Sequence, residues 1–453
     1  MEDGAAQLGA QRDDAIAVIG GGWAGCAAAV ALAQRGIHVD LFEAAPVLGG
    51  RARRVDRAGL ALDNGQHLLL GAYADAIALI EAVHDNRAPL TRLPLTIAPF
   101  GDTDALALTA RAWPAPFGLL AGLATARGLR WRERAAALAW YGRLARRGFE
   151  CPPRQTVAEM LSTLPPRAAR SLWAPLCVAA LNTPVDTASA MVFANVLRMA
   201  FATKTACSDF VLPATDLTAL FPEAAARYVI ARGGHVTAGA RVAIEAIGDA
   251  TVTLSDGERT WNAVGAIIAV GPHQLANAFA RRVVVDHAPI ADALAACARL
   301  DYEPIATVYL GYRDAFDLPC PITRLDDAPG QWVFDRRDIL ARSSRPPDSL
   351  AHIVAVVISA SGPHDALDRD ALVAACDAQL RRLRTKLPPL AWSLPIVERR
   401  ATYACVPARP RPPHVHLAAN VALAGDYVHA TFPATLEAAV QSGLAAARAI
   451  GAR

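Results

Sequence analysis

Two glycine-rich turns and one amide-histidine cluster are the parts of this 453-residue chain with reactive or ligand-holding residue types at telling spacings. The first turn is Gly20-Gly21-Gly22-Trp23-Ala24-Gly25, which satisfies G-x-G-x-x-G and is followed by an acid, Glu43. Such spacing serves a dinucleotide. Gly20 permits a tight turn from strand to helix, Gly22 lets the backbone approach a pyrophosphate, and Gly25 lets the helix pack close to the strand. The N-terminus of the helix that follows Trp23 and Ala24 offers free N–H groups and a positive dipole end to the phosphates. Glu43 stands where a carboxylate accepts hydrogen bonds from ribose hydroxyls. The second turn, Gly425-Asp426, precedes Pro433, Thr435 and Leu436, residues that suit a helix start. The cluster is Asp63-Asn64-Gly65-Gln66-His67.

The elements needed to position these residues are legible. Ala15 to Ile19 is a short apolar run, as a buried parallel strand would be. Cys26 to Arg35 is Ala-rich and helical in pattern, and Gly36 ends it. His38 to Phe42 reads as the second strand. Asp256-Gly257 marks a hairpin turn, Val264 to Val270 a buried strand, and Val421 to Ala424 another. Residues 112 to 230 hold many apolar helical stretches, including Pro116 to Leu123. Those stretches would line a hydrophobic tunnel or simply form a core.

Composition narrows the class. Hydrophobic residues are 53% and charged residues 19%, enough for a large core and unlike a disordered chain. A formal charge of +3, from 45 basic and 42 acidic residues, implies no nucleic-acid partner. None of the eight cysteines forms a CxxC pair, so no metal site is expected. Met1 to Asp14 lacks a signal-peptide pattern, and no run of about 18 apolar residues would span a bilayer. A reduced, cytoplasmic setting is expected. The basic stretch Arg127 to Arg147, with Trp131, Trp140 and Tyr141, reads as a solvated helix face or as a contact for anionic lipid headgroups.

After Glu43, a short spacer leads to Gly49-Gly50-Arg51. This pattern resembles the FAD proteins of the amine oxidase and phytoene desaturase superfamily. The resemblance implies FAD instead of NAD, with Gly49 and Gly50 allowing close approach and Arg51 offering donors to the pyrophosphate. Arg53 and Arg54 would be further donors or surface charge. It also implies that Asp426, beside Gly425, accepts from the ribityl chain, and that the helix opening at Thr435 and Leu436 points at the flavin. A backbone amide near Val242 would meet the adenine, and Gln66 and His67 would pass the flavin ring. The fold so implied is α/β. A discontinuous, GR2-like Rossmann-type FAD-binding domain (residues 1–100, 232–300 and 395–453) would carry an inserted α+β substrate domain (101–231, mostly helical, and 301–394).

A narrower resemblance is carried by Asn64-Gly65-Gln66-His67 with Leu69-Leu70-Gly71-Ala72-Tyr73, by Leu181-Asn182-Thr183-Pro184, by Ser208-Asp209 and Leu212-Pro213, and by Tyr427 to Ser442. These segments are similar to the squalene-associated FAD proteins, the hydroxysqualene dehydroxylases. The stretch from about 300 to 395 adds little. That branch implies a reductive loss of hydroxyl from a C30 isoprenoid, with hydride from reduced flavin N5 and a long, dry, apolar site. His67 and Asp209 are then the candidate proton donors. The electron donor would be NAD(P)H acting transiently or a partner reductase, and peripheral contact with the inner face of the membrane is expected. Competing readings are a carotenoid-type polyprenoid desaturase or isomerase, an amine oxidase, and a non-catalytic prenyl-lipid escort protein. With 6% aromatic residues, the aromatic cage of an amine oxidase is not indicated.

Overall fold

The computed structural model describes residues 14–450 apart from 58, 102–104, 112, 338, 340–349, 413–414 and 430. Of the acidic stretch Met1 to Asp14, only Asp14 is therefore among the described residues. The strand Ile16–Ile19 lies inside a six-stranded sheet. Its order is His235–Ala238, Val39–Glu43, Ile16–Ile19, Gly265–Ile268, Val421–Leu423 and His416–Ala418. All neighbours run parallel except the last pair. The strands Ile16–Ile19 and Gly265–Ile268 are buried throughout, which is why they read as unbroken apolar runs.

The first helix, Trp23–Gln34, starts on the glycine motif itself, three residues before the Ala-rich run that announced it. Small side chains let it sit deep. A Cβ at Gly25 would lie 1.9 Å from the Gly20 carbonyl oxygen. A Cβ at Gly443, in the C-terminal helix Leu436–Ile450, would lie 2.1 Å from the Ala24 carbonyl oxygen. Helix meets strand, and helix meets helix, at backbone contact.

A second sheet of five antiparallel strands stands beside the first. Its order is Ile322–Arg324, Trp332–Asp335, His352–Ser359, Tyr302–Tyr312 and Leu390–Tyr403. The helices Phe117–Ala124, Trp131–Arg146, Ala174–Leu181 and Ala190–Phe201 lie in the other inserted segment. A three-stranded meander, Ala243–Ile247, Val252–Ser255 and Thr260–Ala263, turns at Asp256-Gly257, where Gly257 has φ +95°.

Two expected boundaries move. A break between 394 and 395 would cut the strand Leu390–Tyr403, which pairs with Tyr302–Tyr312 on both sides of that point. A break at 231 would place the helix Pro222–Ile230 with the insert. Its Ala225 and Val229, with Leu217, Leu220 and Phe221 before them, belong to the same core as the first helix. Burial against that helix decides where this segment sits.

Candidate active site

The carboxyl ends of the parallel strands open on one continuous cavity of about 1060 Å³, where Gly20, Glu43, Ala269 and Gly425 lie. In open parallel sheets this is the edge where ligands bind. The cavity joins two chemically different regions.

One region is a polar cradle. Gly20 has φ +113°, and a Cβ there would lie 2.6 Å from the Ala269 carbonyl oxygen. Gly22 is different: a Cβ there would have only the Gly50 Cα, at 4.0 Å, for company. It would project into the space a ligand backbone needs. Gly22 bridges Gly49, and the Gly49 amide donates to the Gly21 carbonyl at 2.8 Å. Gly49 and Gly50 both have positive φ, +115° and +60°, which favours glycine. No side chain caps the helix that starts at Trp23, and its first turn holds no acid, so its first amides are left for a ligand. The Trp23 indole donates to the Ala52 carbonyl at 3.1 Å and thereby pins the Gly-Gly-Arg turn. Ala24 lies beside it on the cavity wall.

Each Glu43 carboxylate oxygen accepts one backbone amide, Gly21 at 2.7 Å and Ala45 at 2.8 Å. Each keeps a lone pair for a ribose hydroxyl. Val242 is buried on the same wall, where the Ala240 amide donates to the Glu43 carbonyl at 2.9 Å. Arg51 and Asp426, assigned by resemblance to the pyrophosphate and the ribityl chain, form an ion pair of 2.6 Å across 375 sequence positions. Arg51 also donates to the Ala401 carbonyl at 2.8 Å. Arg53 faces the cavity, whereas Arg54 turns away to Asp216 at 3.4 Å and Glu223 at 3.1 Å. Arg54 is thus structural. These residues fit a dinucleotide: an open glycine cradle, a bare helix N-terminus, a carboxylate and fixed guanidinium charge converge on one space.

The C-terminal turn closes this region. Gly425 has φ +153°, and a Cβ would lie 2.3 Å from the Tyr427 ring. Its amide donates to Ser442 Oγ at 2.8 Å. Thr435 Oγ1 accepts the Ala438 amide at 3.2 Å, capping the C-terminal helix, and Leu436 lies on the cavity wall. Glu437 accepts the Asp75 and Ala76 amides at 3.2 and 2.8 Å, capping the helix Ala74–Val83. Burial pushes its carboxyl up to about 7 against those hydrogen bonds.

The segment from Asp63 to His67 is held from the second sheet. Asp63 pairs with Arg336 at 2.8 Å and accepts the Leu217 amide at 2.9 Å. Burial still lifts it to about 6. The Tyr309 hydroxyl donates to the Asp63 carbonyl and accepts from Gln66 Nε2, both at 2.7 Å. Asn64 Nδ2 spans the Arg51 carbonyl and Glu398, each at 3.3 Å. His67 lies on the cavity wall, 3.0 Å from the Gly65 carbonyl through Nδ1. A carbonyl only accepts, so Nδ1 carries the proton and Nε2 remains the open polar atom. Burial lowers the pKa of His67 below the ordinary histidine value; the Gly65 carbonyl opposes this and the Arg51 charge adds to it.

Asp209 is not brought to the cavity. Ser208 and Phe210 line it, but the Asp209 carboxylate lies 3.5 Å from Arg92, and its backbone carbonyl accepts from the Gly71 amide. Gly25 is also off the wall, because its part is helix packing.

The other region is apolar. Leu176, Phe193 and Leu197 from the helices face Trp332, Phe334 and Val357 from the second sheet. Asn182 clasps the two together: its Nδ2 donates to Thr402 Oγ1 at 2.9 Å, and its Oδ1 accepts the Ala360 amide at 2.7 Å. Tyr309, Arg336 and Thr402 carried no signal in the sequence, because they lie in or near the one stretch without a motif.

The chain matches the family model described as flavin containing amine oxidoreductase over residues 23–451. It is 28% identical to a hydroxysqualene dehydroxylase of Rhodopseudomonas palustris, covering 95% of this chain and 97% of that one. It is 24% identical, over the same shares, to a hydroxysqualene dehydroxylase of Zymomonas mobilis. Among solved structures, cyclohexylamine oxidase from Brevibacterium oxydans shares the fold with a TM-score of 0.69, over 97% of this chain and 99% of that one at 18% identity. A family match over nearly the full length, joined to a cradle shaped for a dinucleotide, places the chain in the flavin-containing amine oxidoreductase family, as an FAD-dependent oxidoreductase.

Proposed function

We propose that the protein reductively removes the hydroxyl of hydroxysqualene to give squalene, a step of squalene and hopanoid synthesis. The observation that carries this reading is the single cavity that joins a dinucleotide cradle to an apolar chamber. The full-length likeness to two hydroxysqualene dehydroxylases supports it. FAD, once reduced, supplies hydride. The chain's own residues do the rest. Segments before about residue 100 and after about 403 hold the cofactor together with about 217–300; the helical and five-stranded segments hold the hydrocarbon.

The Nε2 of His67, in its protonated form, donates a proton to the substrate hydroxyl, which leaves as water. Loss of water from an allylic alcohol leaves a delocalised cation. The apolar walls, Phe193 and Trp332 among them, keep other water from recapturing it. Arg51 and Asp426 fix the cofactor end, so that binding the hydrocarbon does not displace it. Electrons arrive from NAD(P)H or a reductase, and the substrate is drawn from a membrane at which the protein docks peripherally.

The test is anaerobic. Purified yellow protein is reduced and hydroxysqualene is added. Flavin reoxidation with squalene formed in equal amount is the expected result. A reduced flavin that ignores hydroxysqualene overturns this reading in favour of a carotenoid-type desaturase or isomerase. A colourless protein that still binds the hydrocarbon would favour an escort role.

A further inference from the structure

The basic stretch singled out in the sequence divides its aromatic residues between two sides. Trp140 and Tyr141 are buried: Trp140 lies 4.7 Å from the Trp173 ring and Tyr141 stacks on it at 6.4 Å. With Ala137 and Leu144 they form the inward stripe of the helix Trp131–Arg146. The outward side is unlike the rest of the surface. Trp113 is 51% exposed, Phe117 59% and Trp131 67%, and these are the exposed aromatic residues among the described residues. All three fall within nineteen positions, 113 to 131.

Charge gathers in the same place. Arg111 to Arg147 contains eight arginines and one acid, Glu133, in a chain whose net charge is only +3. Seven of the eight are exposed. The eighth, Arg134, donates to the Ala124 and Ala126 carbonyls and holds the turn between the two helices. Arg111 and Arg132 lie over the rings of Trp113 and Trp131 at 5.7 and 5.3 Å, so charge and ring are presented together.

The geometry points to this helical hairpin as a docking surface for an anionic bilayer. Exposed rings that insert among headgroups, flanked by arginines that meet lipid phosphates, suit that interface. An acidic protein partner would account for the arginines but not for three solvent-exposed rings within nineteen positions. The hairpin is also joined to the cavity. The Ala110 amide, one residue before Arg111, donates to the carbonyl of Leu95 at 2.9 Å, and Leu95 lines the cavity. The surface deepens the dehydroxylase reading by holding the protein at the phase where an apolar substrate dissolves, but its test does not need turnover.

Full-length flavoprotein is sedimented with vesicles of phosphatidylcholine plus phosphatidylglycerol, and with phosphatidylcholine alone. Binding to the anionic vesicles is expected, with a blue shift of tryptophan fluorescence. Trp113→Ser/Phe117→Ser/Trp131→Ser should weaken it roughly tenfold or more, with flavin content unchanged. Arg132→Gln, which leaves the fold intact even where the triple variant does not, should weaken it roughly fivefold, about 1 kcal/mol. Wild-type protein that stays in the supernatant overturns the proposal. So does a folded triple variant that binds as well as wild type, the result expected of an acidic protein site. Squalene formation in detergent solution, measured separately, distinguishes failure here from failure of the dehydroxylase reading.

Discussion

A Cβ at Gly22 would enter open cavity, whereas one at Gly25 would strike the Gly20 carbonyl oxygen at 1.9 Å, so two glycines of one motif fail differently. Gly22→Asp should fold with a near-native Tm yet lose its flavin absorbance, because a side chain and a negative charge meet the pyrophosphate. A yellow Gly22→Asp protein would refute the cradle. Gly25→Val should instead lose stability, read as a lowered Tm, since backbone must move. His67 gives the pH prediction for catalysis. Burial holds its pKa below the ordinary histidine value, so the protonated donor grows as pH falls. Turnover should rise as pH falls through the ordinary histidine range. His67→Gln should keep its flavin, lose roughly 10²- to 10⁴-fold in kcat and flatten that limb. An unchanged pH profile in the variant would remove His67 from the proton step.

The Leu-Asn-Thr-Pro segment is where elements are joined. Asn182 ends the helix Ala174–Leu181 in the left-handed conformation, φ +46°, that asparagine tolerates better than most residues. Its side chain then ties that helix to the strands Leu390–Tyr403 and His352–Ser359 through Thr402 and the Ala360 amide. Thr183 Oγ1 adds the Cys405 amide at 3.0 Å. Asn182→Ala leaves buried polar partners unmet and should cost about 2–3 kcal/mol in chemical denaturation; a loss under about 0.5 kcal/mol, the range of ordinary surface changes, would refute the clasp. The motif Leu69-Leu70 does similar work. It pairs with Phe210–Pro213, so two segments flagged separately by resemblance prove to be one small sheet.

Across the molecule, buried carboxylates set the pH dependence of stability. Glu437, 1% exposed, has its pKa lifted from 4.5 to about 7 by burial. Between those values the unfolded chain has released its proton while the folded chain still holds one. The unfolded state binds fewer protons, so stability falls as pH rises across that window. Asp63, lifted from 3.8 to about 6, acts in the same direction. Denaturation midpoints should therefore decline from about pH 4 to about pH 7, and Glu437→Gln should shrink the decline. Equal slopes in both proteins would show that Glu437 is not the group responsible.

The cofactor half was legible because its determinants are local. A tight turn needs Gly20, a close approach needs Gly22, and a ribose carboxylate must follow the second strand, so spacing along the chain carries the geometry. The apolar strands and the two chain ends were read for the same reason. Pairing across distance had no such signature. Nothing in the spacing joins Arg51 to Asp426, Asp63 to Arg336, or Tyr309 to Gln66. His67 reads as the first candidate proton donor and Asp209 as the second; Arg92 holds the Asp209 carboxylate off the cavity wall, and the Gly65 carbonyl holds His67 on it. Trp131, Trp140 and Tyr141 looked alike, until packing against Trp173 buried two of them and left one in solvent. Sequence specifies what a backbone turn needs within a few residues. Which side chain faces the cavity, the core or the surface is set by what the rest of the chain packs against it.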